Sequence, residues 1–451
     1  DVSPSGARAV FEVRGEIVTV PAEKGDPRFL TRTSGAHERF PVWSPDGTRI
    51  AYFSDASGEY ELHLAAQDGK GPVRRYSLGG AGFYERPRFS PDGRKLSFID
   101  NSRSLYWIDL ETGKVRKVFS EILYGPVNTM QHAWSPDSRW LAYTRLTPSY
   151  LQQVCLYSLT EDRSYPITDG LADAAEAVWD ASGKYLYLAA STDAGPVRDW
   201  FSMSNNDMEM TNTLYLVVLG KGEPSPLARQ SDEEKPAVGG ESKPARSEDK
   251  DKGNKDLKGS TARPEEVRVV VDLEGIAQRI LPLPVKGALF TDLQPGARGQ
   301  LFYRRSTGGA SRFSRQGEAA LVRFDLDKRE ETVLAEKADL FALARDGARV
   351  LLRQGQTWLI AETRGKIDTA KGKLDLDAVA VRVEPRTEWR QIFHEAWRIN
   401  RDYFYDPNFH GADWAAMRAK YEPFLEHAAT RADVNRIIQW MCSELAVGHH
   451  R

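Results

Sequence analysis

One short motif recurs along the chain at near-constant intervals and constrains the fold more than any other feature. Trp43-Ser44-Pro45-Asp46-Gly47 precedes RIAYFS, Phe89-Ser90-Pro91-Asp92-Gly93 precedes KLSFID, and Trp134-Ser135-Pro136-Asp137-Ser138 precedes WLAYTR. A weaker copy, Trp179-Asp180-Ala181-Ser182-Gly183, precedes YLYLAAS, and the chain opens with another at Ser3-Pro4-Ser5-Gly6. Two degenerate copies come late, Gln294-Pro295-Gly296 and Ala344-Arg345-Asp346-Gly347. Each has the chemistry of a tight turn. Proline fixes φ at the first central position, aspartate supplies a side-chain acceptor, and glycine takes positive φ. The residues that follow have the β-branched and aromatic bias of strands. A further strand and a glycine turn come next, as in SLYWIDLETGKVRKVF at 104–119. Four strands in about 45 residues is the period of a propeller blade. Seven copies predict seven blades, a mainly β fold over residues 1–384; a β-sandwich would not keep so regular a turn.

The fifth unit is interrupted. TLYLVVL at 213–219 reads as a blade strand and VRVVVDLE at 267–274 as the next. Between them, residues 231–266 contain almost no large apolar side chain. Such a stretch cannot bury enough surface to offset its ordering entropy, so it is expected to be a disordered, solvated insert.

After Pro385 the apolar period changes from two to helical. Trp389, Phe393, Trp397 and Phe404 mark one stripe of a helix, ended by Tyr405-Asp406-Pro407-Asn408-Phe409-His410-Gly411. A second helix is expected at about 413–427. A third begins at Thr430, whose spacing to Asp433 fits a capping box, and runs to Leu445. Residues 385–451 therefore form a small α-helical domain, read as truncated because it stops at Gly448-His449-His450-Arg451 without a closing element.

Composition excludes several classes of function. The 62 Lys+Arg against 64 Asp+Glu leave a net charge of −2, which is not that of a general nucleic-acid binder. No run approaches the ~20 apolar residues of a membrane span. The chain begins at Asp1 without a signal-peptide pattern and reads as a fragment. Cys155 and Cys442 are expected to be buried, unpaired hydrophobes, with no zinc spacing around them. No HExxH, EF-hand, P-loop or dinucleotide fingerprint occurs, so no metal and no cofactor is expected. The absence of G-x-S-x-G within the chain disfavours a propeller-lidded prolyl oligopeptidase. Among the eight histidines, His37, His63 and His132 are read as hydrogen-bonded locally. His394 and His427 have no partner evident from the sequence. His410 is expected to stabilise its turn with Asp406. His449 and His450 fit either a helix-end pair favoured by the macrodipole, a tag stub, or catalysis.

The helical segment carries the specific pattern. Trp389-x3-Phe393-x-Glu395-Ala396-Trp397-Arg398 leads to Arg401-Asp402-x-Phe404-Tyr405-Asp406-Pro407, then His410-Gly411-x-Asp413-Trp414. Ser443-Glu444-Leu445-x-Val447-Gly448-His449 closes it. Behind the repeated turns, this resembles the tricorn proteases and their bacterial homologues, and the stretch from Asp272 through Gly275 and Ile280 to Pro284 looks like that family's second propeller. The resemblance covers nearly the whole chain. It implies a seven-bladed propeller and a helical domain, preceded in the family by a six-bladed propeller and followed by PDZ and α/β peptidase domains. It implies a serine peptidase acting on oligopeptides, with the propeller as a substrate channel. His449 matches the general base, while the nucleophile and orienting acid lie in the downstream domain, so the isolated chain should be inactive. Gly448 stands where the archaeal enzyme has serine, and His450 matches no family role. A homo-oligomer is implied, and a cytoplasmic location, with periplasm or export as the alternative. The rival reading from the residues is a non-catalytic, TolB-like interaction propeller.

Overall fold

The computed structural model describes residues 1–80, 82–123, 130–192, 211–229, 267–306 and 318–448. The insert at 231–266, together with His449 and His450, lies outside the described residues. Seven antiparallel sheets follow one another along the chain, as the turns predict. Blade 1 comprises Arg8–Val13, Glu16–Pro21 and Arg28–Phe29; blade 2 comprises Glu38–Trp43, Arg49–Ser54, Glu61–Ala66 and Arg74–Tyr76. Blade 3 spans Tyr84–Phe89, Lys95–Asp100, Ser104–Asp109 and Val115–Ser120; blade 4 spans His132–Trp134, Trp140–Leu146, Gln152–Ser158 and Arg163–Pro166. Blade 5 holds Asp173–Trp179, Tyr185–Ser191, Thr213–Val218 and Ile280–Pro282. Blade 6 holds Leu289–Pro295, Gln300–Ser306, Ala319–Asp325 and Glu330–Ala335, and blade 7 Leu340–Leu343, Arg349–Gln354 and Thr357–Glu362.

The turn motif works as a small hydrogen-bonded machine. In blade 2 the buried Ser44 hydroxyl donates to Asp46 Oδ1 (2.5 Å) and accepts from Arg49 N (2.9 Å), while Asp46 also accepts from Thr48 N (3.0 Å). Blade 3 repeats this with Ser90, Asp92 and Lys95 N (3.0 Å), and blade 4 with Ser135, Asp137 and Trp140 N (2.9 Å). The serine thus satisfies a strand N–H that the turn would otherwise leave buried and unpaired. Blade 4 has Ser138 in place of glycine at φ 60°, and its hydroxyl accepts from Asp92 N of blade 3 (3.0 Å). In blade 6 the turn falls later than the copy read from the sequence. Gln300 N bonds Ala297 O (2.9 Å), and Gly299, at φ 74°, takes the left-handed position.

The core lies between blades. Phe53, Leu62, Phe98 and Ile108 pack blades 2 and 3 together, and comparable buried clusters join each successive pair. The last of them, with Val2, Ala9, Val18, Leu351, Ile360 and Leu374, joins blade 7 to blade 1 and closes the ring. Among the described residues the closure is side-chain packing, since the first and last sheets share no strand.

One expected strand is not one. Residues 267–273 run without a ladder, tied by Val269 N to Asp137 Oδ2 (3.0 Å) and by Asp272 N to Leu219 O (3.0 Å). The outer strand of blade 5 is instead Ile280–Pro282, reached through a 3-10 turn at Ile276–Arg279. The valine alternation is real, but it serves an extended crossing that buries Val269.

Three helices follow: α1, Pro385–Tyr403; α2, Trp414–Tyr421; and α3, Arg431–Ser443. The second is shorter than expected because Pro423 opens a 3-10 stretch, Glu422–His427. The capping box forms as read, with Asp433 N on Thr430 Oγ1 (3.3 Å) and Thr430 N on Asp433 Oδ2 (2.8 Å). The core of this segment is Phe393, Trp414, Val434, Ile437, Met441 and Leu445. Cys155 and Cys442 are buried and unpaired. Among the described residues, no helix is long and apolar enough to cross a membrane.

The serine's role is testable. Ser90→Ala should cost about 1–3 kcal/mol in urea unfolding by stranding the Lys95 N–H, whereas alanine at exposed Ser5 should stay within about 0.5 kcal/mol.

Candidate functional site: the axial cavity and the helical junction

In blades 2–7 the first strand faces the ring's axis, and in blade 1 Val2, bridged to Ala9, takes that place; together they enclose a cavity of about 640 Å³. Its wall takes Val2 from the residues leading into blade 1 and Phe40, Arg88, Trp134, Trp179, Leu293 and Leu343 from blades 2–7. Four of these strands carry a bulge whose residue is left-handed: Phe40 (φ 55°), Arg86 (φ 54°), Glu176 (φ 59°) and Asp292 (φ 59°). Non-glycine residues seldom hold this conformation without compensation. At two of the four positions, Arg86 and Glu176, side chains tie neighbouring blades together. Gln131 Nε2 donates to Glu176 Oε1 and Glu176 N to Gln131 Oε1 (both 2.8 Å), Leu293 N reaches Glu176 Oε2 (3.3 Å), and Arg86 donates to Met130 O (3.2 Å). The other carboxylate, Asp292, pairs with Arg304 of its own blade (2.7 Å). The sequence reading passed over these residues. The signal was present, because residues 40, 86, 131, 176 and 292 each stand four before the turn positions 44, 90, 135, 180 and 296.

Arg88 has its side chain open to the cavity but crowded by protein. Burial lowers its pKa, as does the charge of Arg86, against the pull of Glu176 and Asp292. His132 is buried beside these arginines, and neither of its ring nitrogens has a hydrogen-bond partner. Burial, then the Arg88 and Arg86 charges, hold its pKa well below the ordinary value, so it is neutral. This differs from the local hydrogen bonding expected of it. His63 is likewise buried with Nε2 unbonded, 3.7 Å from Glu61.

In blades 2–7 the repeated turns join first to second strands, and in blade 1 the turn joins the bridged Val2 to Arg8–Val13, so all lie at one end of the ring. Antiparallel succession puts the connections between second and third strands at the other end, and α1 docks there. Arg398 and Asp55, both nearly fully buried, form an ion pair across this junction. Asp55 also accepts from His37 N (2.6 Å) and Gln391 Nε2 (3.0 Å), and Arg398 donates to Gly58 O (2.6 Å) over the Tyr60 ring. A buried pair held by these further bonds fixes geometry even with Arg398 Nε left unbonded, and removing one partner costs about 3–5 kcal/mol. Around it Arg401 chelates Glu59 (2.5 and 2.9 Å), Arg14 chelates Glu388 (2.6 and 3.0 Å), and Asn101 Nδ2 reaches Asp402 O (3.1 Å).

His37 is not a local histidine: its Nδ1 lies 2.8 Å from Glu395 Oε2 on α1 and its Nε2 3.4 Å from Glu12. Burial alone would lower its pKa, but the bonds to Glu12 and Glu395 outweigh this and raise it to about 9. Burial opposes ionisation of Glu395 too, yet His37, Gln391 and Arg39 bring it down to about 2. His394 finds Glu422 (2.9 Å), a partner the sequence did not reveal.

The closing motif is anchored at Glu444 and Leu445. Glu444 accepts from Lys420 Nζ and Tyr421 Oη (both 2.6 Å), Leu445 is fully buried, and Leu445 O lies 3.1 Å from His410 Nδ1. His410 is held as expected within its own turn, by Asp406 through its backbone N–H (2.8 Å), and its Nε2 lies 2.6 Å from Tyr405 Oη. Gly448 is exposed, with open space around it. The structure does not describe where His449 points.

Residues 1–364 match the family described as tricorn protease second beta propeller domain, and residues 385–443 the tricorn protease C1 domain. The chain belongs to the tricorn protease family. It is 29% identical to tricorn protease homolog 1 of Streptomyces coelicolor, over 97% of the chain and 41% of that protein. It is 25% identical to the tricorn protease homolog of Saccharolobus solfataricus, over 97% of the chain and 37% of the relative. The crystal structure of the tricorn protease superposes with a TM-score of 0.77 at 16% identity, covering 98% of this chain and 40% of that one. The chain thus spans about two-fifths of the length of the relatives it matches.

The junction's pH response follows from its two shifts. His37, raised from 6.5 to about 9, contributes fully below 6.5 and loses its contribution as pH rises through about 9. Glu395, lowered from 4.5 to about 2, contributes above 4.5 and loses it only as pH falls through about 2. Buried Glu38, which burial pushes up to about 7, lowers stability in the same direction but chiefly as pH rises to about 7, so the fall above that is mainly that of His37. Melting temperature should therefore fall between about pH 7.5 and 9.5, and His37→Gln should flatten that slope. An unchanged slope in the variant would remove His37 from the account.

Proposed function

We propose that this chain is the channel and general-base portion of a serine peptidase that hydrolyses oligopeptides. Residues 1–384 act as the substrate channel, and residues 385–451 as the helical unit that presents His449. The observation that carries the reading is one of placement. The cavity runs along the propeller axis, and α1 is locked to the end opposite the repeated turns by Asp55–Arg398. The helical motif that leads to His449 is anchored through Glu444 and Leu445. A peptide threading the ring from the turn end would emerge toward that segment. A narrow axial passage admits extended chains and turns away folded proteins, which gives selection by size.

The chemistry assigned to His449 is that of a general base. A serine hydroxyl is a weak nucleophile until an imidazole takes its proton, and the same imidazole later returns that proton to the leaving amine. The nucleophile and the group that orients the imidazole belong, by family resemblance, to the downstream peptidase domain. The isolated chain is therefore inactive in this reading. By the same resemblance the intact protein is a cytoplasmic homo-oligomer whose partners are peptides.

In the full-length protein, His449→Ala should abolish cleavage of a fluorogenic peptide while leaving the circular dichroism and melting of the propeller unchanged. Retained turnover by a folded variant would refute the assignment.

A further inference from the structure

We infer that His410 is a positioning residue for the general base: through one hydrogen bond it fixes the turn from which the chain runs on to His449. The inference rests on the reading of His449 given above. The turn after α1 holds the His410 ring firmly. Its Nε2 lies 2.6 Å from Tyr405 Oη, and the ring stands edge-on to Phe404 with centroids 5.3 Å apart. Asp406 accepts from the backbone N–H groups of Asn408 (2.9 Å) and His410 (2.8 Å). Nδ1 reaches out of the turn altogether, to Leu445 O, 35 residues along the chain (3.1 Å). A carbonyl oxygen only accepts, so Nδ1 is the donor.

What this bond holds gives it its role. Helix α3 ends at Ser443, the Leu445 side chain is fully buried, and the chain then turns through Ala446, which is left-handed at φ 51°. The peptide unit between Leu445 and Ala446 is pinned at both edges. Its N–H donates to Ser443 O (3.0 Å) and its carbonyl accepts from His410. A peptide unit is planar, so bonds on opposite edges fix the dihedrals on either side of it. They thereby set the direction in which Val447 and Gly448 leave. Phe409 and His410 are themselves left-handed, at φ 51° and 54°. Non-glycine residues persist there only where their surroundings hold them, and such strain gathers at functional sites. A turn that served only to end α1 would need no contact with the far end of α3. Only residues 446–448 separate the pinned carbonyl from His449. A general base acts within hydrogen-bond reach of the proton it takes, and a displacement of about 1 Å costs on the order of a hundredfold in rate.

The test uses the full-length protein and a fluorogenic peptide, with kcat and KM measured separately and melting curves to confirm folding. Asparagine and aspartate share one shape and both tolerate left-handed backbone, but only asparagine offers Leu445 O a donor. His410→Asn should keep kcat within about threefold of the parent, whereas His410→Asp should lower it about tenfold to a hundredfold, with KM unchanged in both. A role in folding alone would move the melting temperature and would not separate the two variants in kcat. Should His410→Asp fail to fold, His410→Ala takes its place with the same expectation. Equal kcat for the donor and non-donor variants, or a change carried by KM, would overturn the inference. His449→Ala separates it from the general-base reading. If that variant is inactive while His410→Asp matches the parent, His410 positions nothing and the general base stands. If the His449 variant keeps full turnover, both fall together.

Discussion

A four-stranded antiparallel blade has two apolar faces and can bury neither by itself. The ring and its axial cavity follow from that constraint. Each blade must lie against the next, and the buried clusters duly sit between sheets, from Phe53 and Phe98 to Phe302 and Leu334. The end blades face the same demand, which closes the chain into a ring through Val2, Leu351 and Ile360. Once the ring closes, the seven innermost strands cannot converge on the axis, and a cavity is left whose wall is whatever those strands present.

The junction with the helices depends on a different kind of contact. Apolar packing would tolerate several docking angles for α1, whereas Asp55–Arg398 with its satellites His37, Gln391 and Gly58 admits one. Buried ion pairs contribute little net stability and a great deal of geometry. Here the geometry fixes how α1, and the helices packed on its Phe393, sit against blade 2. Arg398 is also the residue of the helical motif whose removal would leave a buried carboxylate without its counter-charge.

Much of the fold was legible because its information is local. Ser44, Pro45, Asp46 and Gly47 satisfy one another, so the turn can be read without knowing what surrounds it. The capping box at Thr430 is legible for the same reason. What escaped the sequence is long-range. His37 looks like a loop histidine until Glu395, 358 residues away, is brought to its ring. The alternation at 267–274 fits a strand, and only Asp137 in the neighbouring blade shows why it crosses without pairing. Arg86, Glu176 and Asp292, four places ahead of their turns, were hidden differently, since their periodicity is in the sequence but their bulged backbone is not.

The account's central claim is that the ring and the docked helices form one path ending at His449. The most direct measurement is a structure of the full-length protein reacted with a peptidyl phosphonate, which captures an activated serine covalently. The account predicts a phosphonylated serine within hydrogen-bond distance of the His449 imidazole, on the side of the helices toward which the axial cavity opens. A His449 side chain facing solvent, far from the modified serine or from the cavity's outlet, would contradict it.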